Sequence, residues 1–502
     1  MGRHDVQNAA LRRHDTLNAR PDRYRTMTME LRFPRSLLRC PRVVAVAFLA
    51  VLGLASGCST RAITPWSPGP GPWFGTPEPE QPQANTGSFP RGFLWGVATA
   101  GHQVEGHDRT SNWAAWAESG RTTALPGRAT DSWNRYGEDF DLARGMGLNA
   151  FRFSIEWARI EPKPGVIDPA AVEAYRTMVR TARAKGLEPV VTLHHFAYPA
   201  WLDTYKKGSG SYPGWEDLHM AQAFERYARF IARTLGPDIR YWITLNEPNT
   251  QIILGYLTAT FPPGTVNPSA AAKVAEHMTL GHVLAYDAIH EEDPDALVST
   301  NFFELIHATD PAAVFPGDPT RGMLDKMLDW QGLALMVGQD TLGRGRRKLD
   351  FIAFDYYYSW KWTEVQRMAK QWAWSLRPEG IYNIMKTYAR RTGLPQMIAE
   401  NGMATDDGKP RADGWTRETF LVQHLEQVRR AVAEGVPCLG YIHWSLLDNY
   451  EWGSYRPRFG LYEVDPRDPL LRRRPTGAVE TYRAIATSND VPEELLARHP
   501  RP

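Results

Sequence analysis

Residues 149–155 (NAFRFSI), 169–186 (PAAVEAYRTMVRTARAKG) and 188–195 (EPVVTLHH) form the pattern that decides the fold. The first and third segments are short and rich in β-branched and aromatic residues, which favour strands. The middle segment has apolar residues at i, i+3 and i+4 and ends on Gly186, where a helix C-terminal cap is expected. Strand, helix and strand in this order predict a βαβ unit with two parallel strands.

The same alternation continues on both sides of this unit. Further strand-like segments lie at 93–100 (FLWGVATA), 241–248 (YWITLNEP), 297–303 (LVSTNFF), 350–357 (DFIAFDYY), 395–402 (PQMIAENG) and 439–445 (LGYIHWS). Helical patterns lie at 219–235, 269–290, 378–392 and 416–435, the last ending on Gly435. Eight strand-and-helix repeats predict an α/β protein built as a single (β/α)8 TIM barrel. The alternative is a doubly wound open sheet, whose G-x-G-x-x-G turn is not matched by Gly96 and Gly101.

The composition is that of an ordinary globular protein. The chain has 502 residues, of which 43% are hydrophobic and 23% charged, and a net charge of +2. These values exclude collagen-like, coiled-coil and globally disordered classes and give no reason to expect nucleic-acid binding. The 18 Trp, 20 Tyr and 19 Phe residues are unusual. So many aromatic side chains require large flat surfaces, either in a core or against a ligand.

The N-terminal segment has the features of an export signal. Residues 1–42 hold ten Arg and four acidic residues, a net charge of +6, whereas the chain after residue 57 has a net charge of −4. The apolar run 43–55 (VVAVAFLAVLGLA) is shorter than the ~20 residues that a membrane-spanning helix needs. The following LASGC resembles a bacterial lipoprotein signal in which Cys58 becomes lipidated, although Ala55 stands where that pattern prefers Leu. An ordinary signal peptide or a short buried helix is the alternative.

These observations predict four parts of the chain: a leader with a lipoprotein-type signal peptide at 1–57, a linker rich in Pro, Gly and Ser at 58–88, the barrel at 89–488 and a tail at 489–502. We expect an exported protein that meets the bacterial cell envelope only through a lipid on Cys58. The charged part of the leader is long for a signal, so we hypothesise that translation starts at Met27 or Met29. Beyond the leader and Cys58 the sequence contains only Cys438, so no disulfide is expected within the barrel.

In such a barrel the functional residues lie at the C-terminal ends of the strands. There the sequence places Gln103, Glu105, Arg152, His195, Asn246, Glu247, Asp355, Tyr357, Glu400, Asn401 and Trp444. Each residue alone also has a structural explanation, such as an ion pair, a buried histidine or a core aromatic residue. Together they indicate a site.

Two of these residues point to a particular chemistry. Glu247 ends the fourth strand (ITLNEP) and Glu400 the seventh (MIAENG), so they face each other across the mouth of the barrel. Two carboxylates that converge on one site are what the cleavage of a glycosidic bond requires, one protonated and one ionised. The alternative is that each makes a structural ion pair. The adjacent Asn246 and Asn401 argue against it, because they supply neutral hydrogen-bond donors at both positions.

Nearly the whole barrel resembles the glycoside hydrolase family 1 β-glycosidases, which are retaining enzymes on a (β/α)8 barrel. The resemblance starts at 89–106 (FPRGFLWGVATAGHQVEG) and ends at 458–465 (RFGLYEVD). The motifs between them are 111–116 (SNWAAW), 151–162 (FRFSIEWARIEP), 192–202 (TLHHFAYPAWL), 242–248 (WITLNEP), 255–264 (GYLTATFPPG), 350–357 (DFIAFDYY), 398–402 (IAENG) and 444–452 (WSLLDNYEW).

The resemblance implies a role for each site residue. Glu247 would be the general acid/base and Glu400 the nucleophile, which Arg152 and Tyr357 keep ionised and oriented. Asn246 would donate to the sugar 2-hydroxyl, and Trp444 would stack against the ring. The residues expected to contact the substrate are Gln103, His195, Asn246, Asp355, Trp444, Glu451, Trp452 and Phe459. Relatives that cleave 6-phosphorylated sugars replace the residue at Glu451, so an unphosphorylated terminal β-D-glycoside is expected, with a glucoside first.

The sequence departs from the family pattern at several positions. Phe196 and Ala197 follow His195 where Trp-Asp is common, Ala259 stands where Gly is usual, and the stretch 452–459 is one residue shorter than its common form. Asp355 replaces the usual Asn, which places a further carboxyl group near the nucleophile. We hypothesise that Asp355 raises the pKa of Glu400 or shifts the pH optimum downward.

Two other function classes remain as alternatives. A transglycosidase would share the fold and the retention of configuration, and a non-catalytic carbohydrate-binding relative would normally have lost one of the two Glu residues. No metal or redox cofactor is implied. His194 and His195 are neighbours on a strand and point to opposite faces, so they cannot bind one metal ion together.

Overall fold

The computed structural model describes residues 88–204, 206–207, 210–211, 214–304, 347–359 and 370–502. Eight parallel strands form a closed barrel in which each strand pairs with its neighbours in the sequence. The strands are β1 (Leu94–Ala98), β2 (Ala150–Ser154), β3 (Glu188–His194), β4 (Tyr241–Asn246), β5 (Leu297–Phe303), β6 (Ile352–Asp355), β7 (Gln396–Glu400) and β8 (Cys438–Trp444). The predicted barrel is therefore confirmed, and the alternative of an open sheet is wrong because β8 pairs with β1.

Helices surround the barrel. The longer ones are α1 (Ser132–Gly145), α2 (Pro169–Ala184), α3 (His219–Leu235), α4 (Pro268–Glu292), α5 (Glu379–Thr392), α6 (Arg417–Ala433) and α7 (Gly477–Ser488), and the short α8 (Glu493–Arg498) follows them. The five helical patterns found in the sequence correspond to α2 to α6. The α1, α7 and α8 helices were not among those patterns. Most of the connection between β5 and β6 lies outside the described residues.

Local sequence explains where the helices begin, end and pack. The side chain of Asp168 accepts hydrogen bonds from the backbone N–H groups of Ala170 and Ala171, and Pro169 follows it at the first helical position of α2. Gly186 has φ 74°, as the predicted C-terminal cap requires, and Gly435 after α6 has φ 86°. Helix α3 buries one face, formed by Met220, Ala221, Phe224, Ala228, Ile231, Ala232 and Leu235.

The core has two layers. One lies between the barrel and the helices and includes Phe151, Phe153 and Tyr175. The other fills the barrel itself with side chains such as Ile243 and Met397. The barrel is thus packed inside, and its C-terminal end carries the polar side chains described below.

Shorter elements complete the connections. The short helices are Gly101–Val104, Asn112–Trp116, Ala117–Arg121, Trp157–Ile160, Trp201–Thr204, Gly214–Glu216, Gly236–Asp238, Pro248–Ile252, Ile253–Leu257 and Gln371–Ala373. Three small antiparallel pairs join Lys206–Lys207 with Gly210–Ser211, Thr405–Asp406 with Pro457–Arg458, and Tyr462–Glu463 with Arg474–Pro475. Within the described ranges, no helix is long and apolar enough to cross a membrane.

The two ends of the barrel domain meet at its N-terminal face. The backbone N–H of Phe89 donates to the carbonyl of Asn489, whose side chain donates back to the carbonyl of Phe89. Residues 489–502, assigned to a tail from the sequence, pack against the domain, since Val491 and Leu495 are buried. Cys438 is buried and free. The predicted leader, Cys58 and all of the linker except its last residue lie outside the described residues.

Candidate active site

Strand register brings the predicted site residues together at the C-terminal end of the barrel. Asp355 on β6 pairs with Glu400 on β7, and Asn246 on β4 pairs with Asn301 on β5. On the other side of the barrel, Ala98 on β1 pairs with Arg152 on β2 and with Trp444 on β8. A small residue on β1 thus separates the arginine from the tryptophan, which leaves room for both large side chains.

Glu400 has two strong hydrogen-bond donors. The Arg152 Nη1 atom lies 2.6 Å from one carboxylate oxygen, and the Tyr357 hydroxyl donates to the other at 2.5 Å. Burial raises the pKa of Glu400, and the charge of Arg152 and the hydrogen bond from Tyr357 oppose that rise. Glu400 is therefore the carboxyl group of the site that has an arginine partner.

Glu247 lies in a different environment. It follows β4 in the left-handed backbone region, with φ 40°, and precedes the short helix Pro248–Ile252. Burial, and then the charge of Glu400, raise the pKa of Glu247 to about 8. A carboxyl group with that pKa keeps its proton at neutral pH, as a general acid must. The unusual backbone conformation for a non-glycine residue is the kind of local strain found at functional sites.

The separation of the two carboxyl groups indicates the stereochemistry. One oxygen of Glu247 and one of Glu400 lie within 4.8 Å of each other. Retaining glycosidases hold their carboxyl groups about 5–5.5 Å apart, whereas inverting enzymes need ~6.5–9.5 Å to leave room for a water molecule. The site therefore has the short spacing of a retaining enzyme.

Asn301 joins two of the predicted residues and was not itself predicted from the sequence. Its Nδ2 atom donates to Asn246 Oδ1 at 2.9 Å and also to Asp355 Oδ2. Arg152 Nη2 donates to the same Asn246 oxygen at 2.6 Å, so the amide group of Asn246 is fixed with Nδ2 as its free donor. That Nδ2 has no partner among the described residues. The sequence signal that could have indicated Asn301 is its position as a polar residue directly before Phe302 and Phe303, at the C-terminal end of the segment 297–303.

Gln103 and Glu451 form a second polar group at the mouth. Gln103 Nε2 donates to Glu451 at 3.0 Å and to Asn449 at 2.9 Å. Burial, and then the charge of Glu400, raise the pKa of Glu451 to about 8. Gln103, Glu247 and Trp444 are the other side chains that act on this pKa, and Gln103 and Trp444 oppose the rise. This arrangement of donors and acceptors can bind several sugar hydroxyls at once.

Aromatic rings line the rest of the site. His195 stacks between Trp444 and Trp452, with ring centroids 5.8 and 5.7 Å away. Burial lowers the pKa of His195 well below its usual value, so the imidazole is neutral. Phe459 packs against Tyr357 at 5.8 Å. Every predicted substrate-contacting residue therefore lies at this mouth.

An apolar cluster borders the opening, and we call it the mouth cluster: Trp113, Trp116, Phe196, Ala197, Phe261 and Trp452. Phe196 and Ala197, which depart from the family pattern, both belong to it. Phe196 has φ 62° and Ala259 has φ 58°. The left-handed backbone at Ala259 explains why Gly is the usual residue at that position.

Two strand-end residues do not join the site. Glu105 pairs with Arg159 at 2.6 Å and accepts a hydrogen bond from Tyr175 outside the barrel. The Asn401 side chain donates to the Tyr356 carbonyl and accepts from Tyr441. Both residues make structural contacts, and the prediction that Glu105 and Asn401 belong to the site is wrong.

The described residues contain one group of acidic side chains close enough to bind a metal ion. It consists of Glu247, Asp355 and Glu400. Arg152 and Tyr357 already donate hydrogen bonds to the two oxygens of Glu400. The positive charge next to this carboxylate is therefore that of the arginine. His194 bonds to Trp215, on the opposite side of the strand from His195 and its stacked partners. The donor set thus fits acid–base chemistry.

Comparisons with known proteins agree with this geometry. The family described as glycosyl hydrolase family 1 matches residues 85–314 and 361–491. The chain belongs to glycosyl hydrolase family 1. The family includes retaining β-glycosidases, and this protein is accordingly a retaining β-glycosidase on a TIM barrel.

The similarity to individual relatives extends over nearly the full length of each relative. The β-glucosidase A of Thermotoga maritima is 31% identical over 435 residues, which are 76% of this chain and 94% of the relative. The β-galactosidase of Sulfolobus acidocaldarius is 29% identical and covers 81% of this chain and 97% of its own. Among solved structures, a β-glycosidase from Pyrococcus horikoshii has a TM-score of 0.71 and 33% identity, covering 82% and 98% of the two chains. The T. maritima β-glucosidase bound to noeuromycin has a TM-score of 0.70 and 27% identity, covering 80% and 99%.

Proposed function

We propose that this family 1 enzyme removes terminal, unphosphorylated β-D-glycosyl residues, with β-D-glucosides as preferred substrates, and that Glu400 is the nucleophile and Glu247 the acid/base. The observation that carries the proposal is the pair of carboxyl groups within 4.8 Å of each other, one of which has an arginine partner. Their different surroundings separate the two roles.

In the first step Glu400 attacks the anomeric carbon while Glu247 gives its proton to the departing oxygen, which leaves a covalent glycosyl-enzyme. Arg152 and Tyr357 orient the attacking carboxylate. In the second step the ionised Glu247 takes a proton from water, and the water oxygen attacks the same carbon as its bond to Glu400 breaks. Two inversions give net retention.

The substrate class follows from charge and from the relatives. The buried site disfavours negative charge, which is why the pKa values of Glu247 and Glu451 are raised to about 8. A 6-phosphate would bring further negative charge into it, so we infer that the sugar is unphosphorylated. The relatives are named β-glucosidases and β-galactosidases, which supports activity on both epimers. The mouth cluster offers an apolar surface for the aglycone.

The test is a panel of nitrophenyl β-D-glycosides with the purified enzyme. We expect the highest kcat/KM for the glucoside, weaker turnover of the galactoside, and at least ~100-fold lower kcat/KM for the glucoside 6-phosphate because of charge repulsion. Proton NMR taken before mutarotation should show the β-anomer as first product. An α-anomer as first product would contradict the assignment.

Transglycosylation is the second candidate, because the mouth cluster could exclude water and bind an apolar acceptor. The same reactions, run with and without an alcohol acceptor and analysed by mass spectrometry, separate the two activities. Free sugar as the main product supports the hydrolase. A transferred glycoside as the main product at low acceptor concentration supports the transglycosidase.

We also propose that the enzyme is exported and attached to the bacterial cell envelope by a lipid on Cys58. The support is the sequence alone: a positively charged segment, the apolar run 43–55, and LASGC. Labelling of the expressed full chain with a clickable fatty acid should mark wild type and leave Cys58→Ala unlabelled, with Cys438→Ala as the matched control.

Mapping of the N-terminal peptides tests the start codon, and peptides from residues 1–26 would contradict a start at Met27 or Met29.

A further inference from the structure

Asp355 is a third carboxyl group in the catalytic centre. Its side chain is fully buried on β6, and one of its oxygens lies within 4.8 Å of oxygens of both Glu247 and Glu400. Arg152 bonds to Glu400 and not to Asp355. Asp355 therefore lies beside two other acids without forming an ion pair of its own among the described residues.

The two oxygens of Asp355 have different surroundings. Oδ2 accepts a hydrogen bond from Asn301 Nδ2. Oδ1 receives no N–H or O–H from a described residue, and the carboxyl group of Glu247 is a neighbour, with one oxygen of each residue within 4.8 Å of the other. Since Asn301 fixes Oδ2 as an acceptor, Oδ1 is the atom available to carry a proton toward Glu247.

Two adjacent buried carboxylates cannot both ionise without strong repulsion, so such a pair holds a proton. The groups that face Asp355 are Glu400 on β7 and Glu247 after β4, which disfavour its charge, and Arg152 on β2, which favours it. Burial is the largest contribution, and together these effects raise the pKa of Asp355 well above its usual value.

We propose that Asp355 is a positioning residue that works as a neutral carboxylic acid and donates a hydrogen bond from Oδ1 to Glu247. This proposal rests on the proposed roles of Glu247 and Glu400. A protonated Asp has the hydrogen-bonding pattern of an Asn, with one oxygen that accepts from Asn301 and one group that donates to Glu247. Unlike an Asn, it can lose that donor as the pH rises.

The role in the reaction follows from the proton count. When Glu247 gives its proton to the leaving oxygen, it becomes a carboxylate, and the Asp355 hydroxyl stabilises the new charge. When Glu247 later takes a proton from water, Asp355 keeps its own, so its proton is not consumed in the cycle. Ionisation of Asp355 would remove that donor and raise the pKa of Glu247, which would slow the proton transfer of the first step.

The test compares pH profiles of kcat/KM for the wild-type enzyme and Asp355→Asn. The asparagine keeps the donor and cannot ionise, so we expect Asp355→Asn to keep the wild-type kcat/KM at neutral pH and to retain it to at least as high a pH as the wild-type enzyme. Asp355→Ala, which lacks the donor, should lower kcat across the whole range, and most for substrates with poor leaving groups. Asp141→Asn, with the same charge change on the outer helix α1, should keep the wild-type profile.

A basic limb that moves downward in Asp355→Asn would overturn the proposal, because the loss of an ionised neighbour would lower the pKa of Glu247. Difference infrared spectroscopy gives a readout that does not need activity. The wild-type enzyme should show one carbonyl band of a buried protonated carboxylic acid that Asp355→Asn lacks, in addition to the bands of Glu247 and Glu451, and identical bands in both proteins would contradict the proposal. If the wild-type enzyme shows no glycosidase activity but this band behaves as expected, the proposed function fails while the protonation of Asp355 stands.

Discussion

Replacement of Glu400 by Gln is expected to lower kcat/KM for nitrophenyl β-D-glucoside by about 10⁵-fold or more, the scale of loss seen when a covalent nucleophile is removed. The amide is the same size as the carboxylate but cannot attack the anomeric carbon. Arg152 and Tyr357 would then donate to a neutral group, so the charge that balances the arginine is lost as well.

A rescue experiment separates a lost nucleophile from a damaged site. In Glu400→Gly, azide can enter the vacated space and attack the anomeric carbon from the nucleophile side. The expected product is the α-glycosyl azide, the inverted anomer, identified by NMR. Glu173→Gln, an exposed change on α2, serves as the matched control and should keep full turnover. Undiminished turnover in Glu400→Gln would overturn the assignment.

Replacement of Glu247 is expected to have an effect that depends on the leaving group. For an alkyl or unactivated aryl glucoside, Glu247→Gln should lose about 10³-fold in kcat/KM, because general acid catalysis contributes about 10²–10⁴-fold. For dinitrophenyl glucoside, whose leaving group needs no proton, formation of the glycosyl-enzyme should stay close to the wild-type rate. A pre-steady-state burst of dinitrophenol should then show that the second step, which needs the base, is slow.

Azide again distinguishes the two acids. In Glu247→Ala it should accelerate the second step and yield the β-glycosyl azide, since it attacks from the side opposite Glu400. An α-azide from this variant would show that the roles of Glu247 and Glu400 are exchanged. An equal loss of kcat/KM for all leaving groups would show that Glu247 takes no part in the reaction as an acid.

Much of the fold and of the site could be predicted because a TIM barrel turns local sequence order into a spatial arrangement. Each strand has its own apolar segment and each helix its own spacing and cap, as Gly186 and Gly435 show. Once the strands are numbered, the position of a residue at a strand end fixes where it lies around the mouth. Glu247 and Glu400 could therefore be placed opposite each other without any long-range information.

The remaining parts depend on side-chain direction and on partners far away in the sequence. Asn301 is 55 residues from Asn246 and 54 from Asp355, and no local pattern relates the three. Glu105 and Asn401 also stand at strand ends, yet they bond outside the sugar site. The sequence placed Asp355 near the nucleophile, and the structure confirms it, but the hydrogen bond that Asp355 accepts from Asn301 could not be predicted.

The hydrogen bonds between Phe89 and Asn489 have a consequence for how the enzyme can be presented to its surroundings. They hold the start of the domain at the N-terminal face of the barrel, while the catalytic mouth opens at the other face. A support joined to the chain just before Ser88 would therefore lie behind the enzyme, and bulky or insoluble glycosides could approach the front unobstructed. The same orientation makes this end the natural point of attachment for immobilisation on a bead or fusion to a carrier protein.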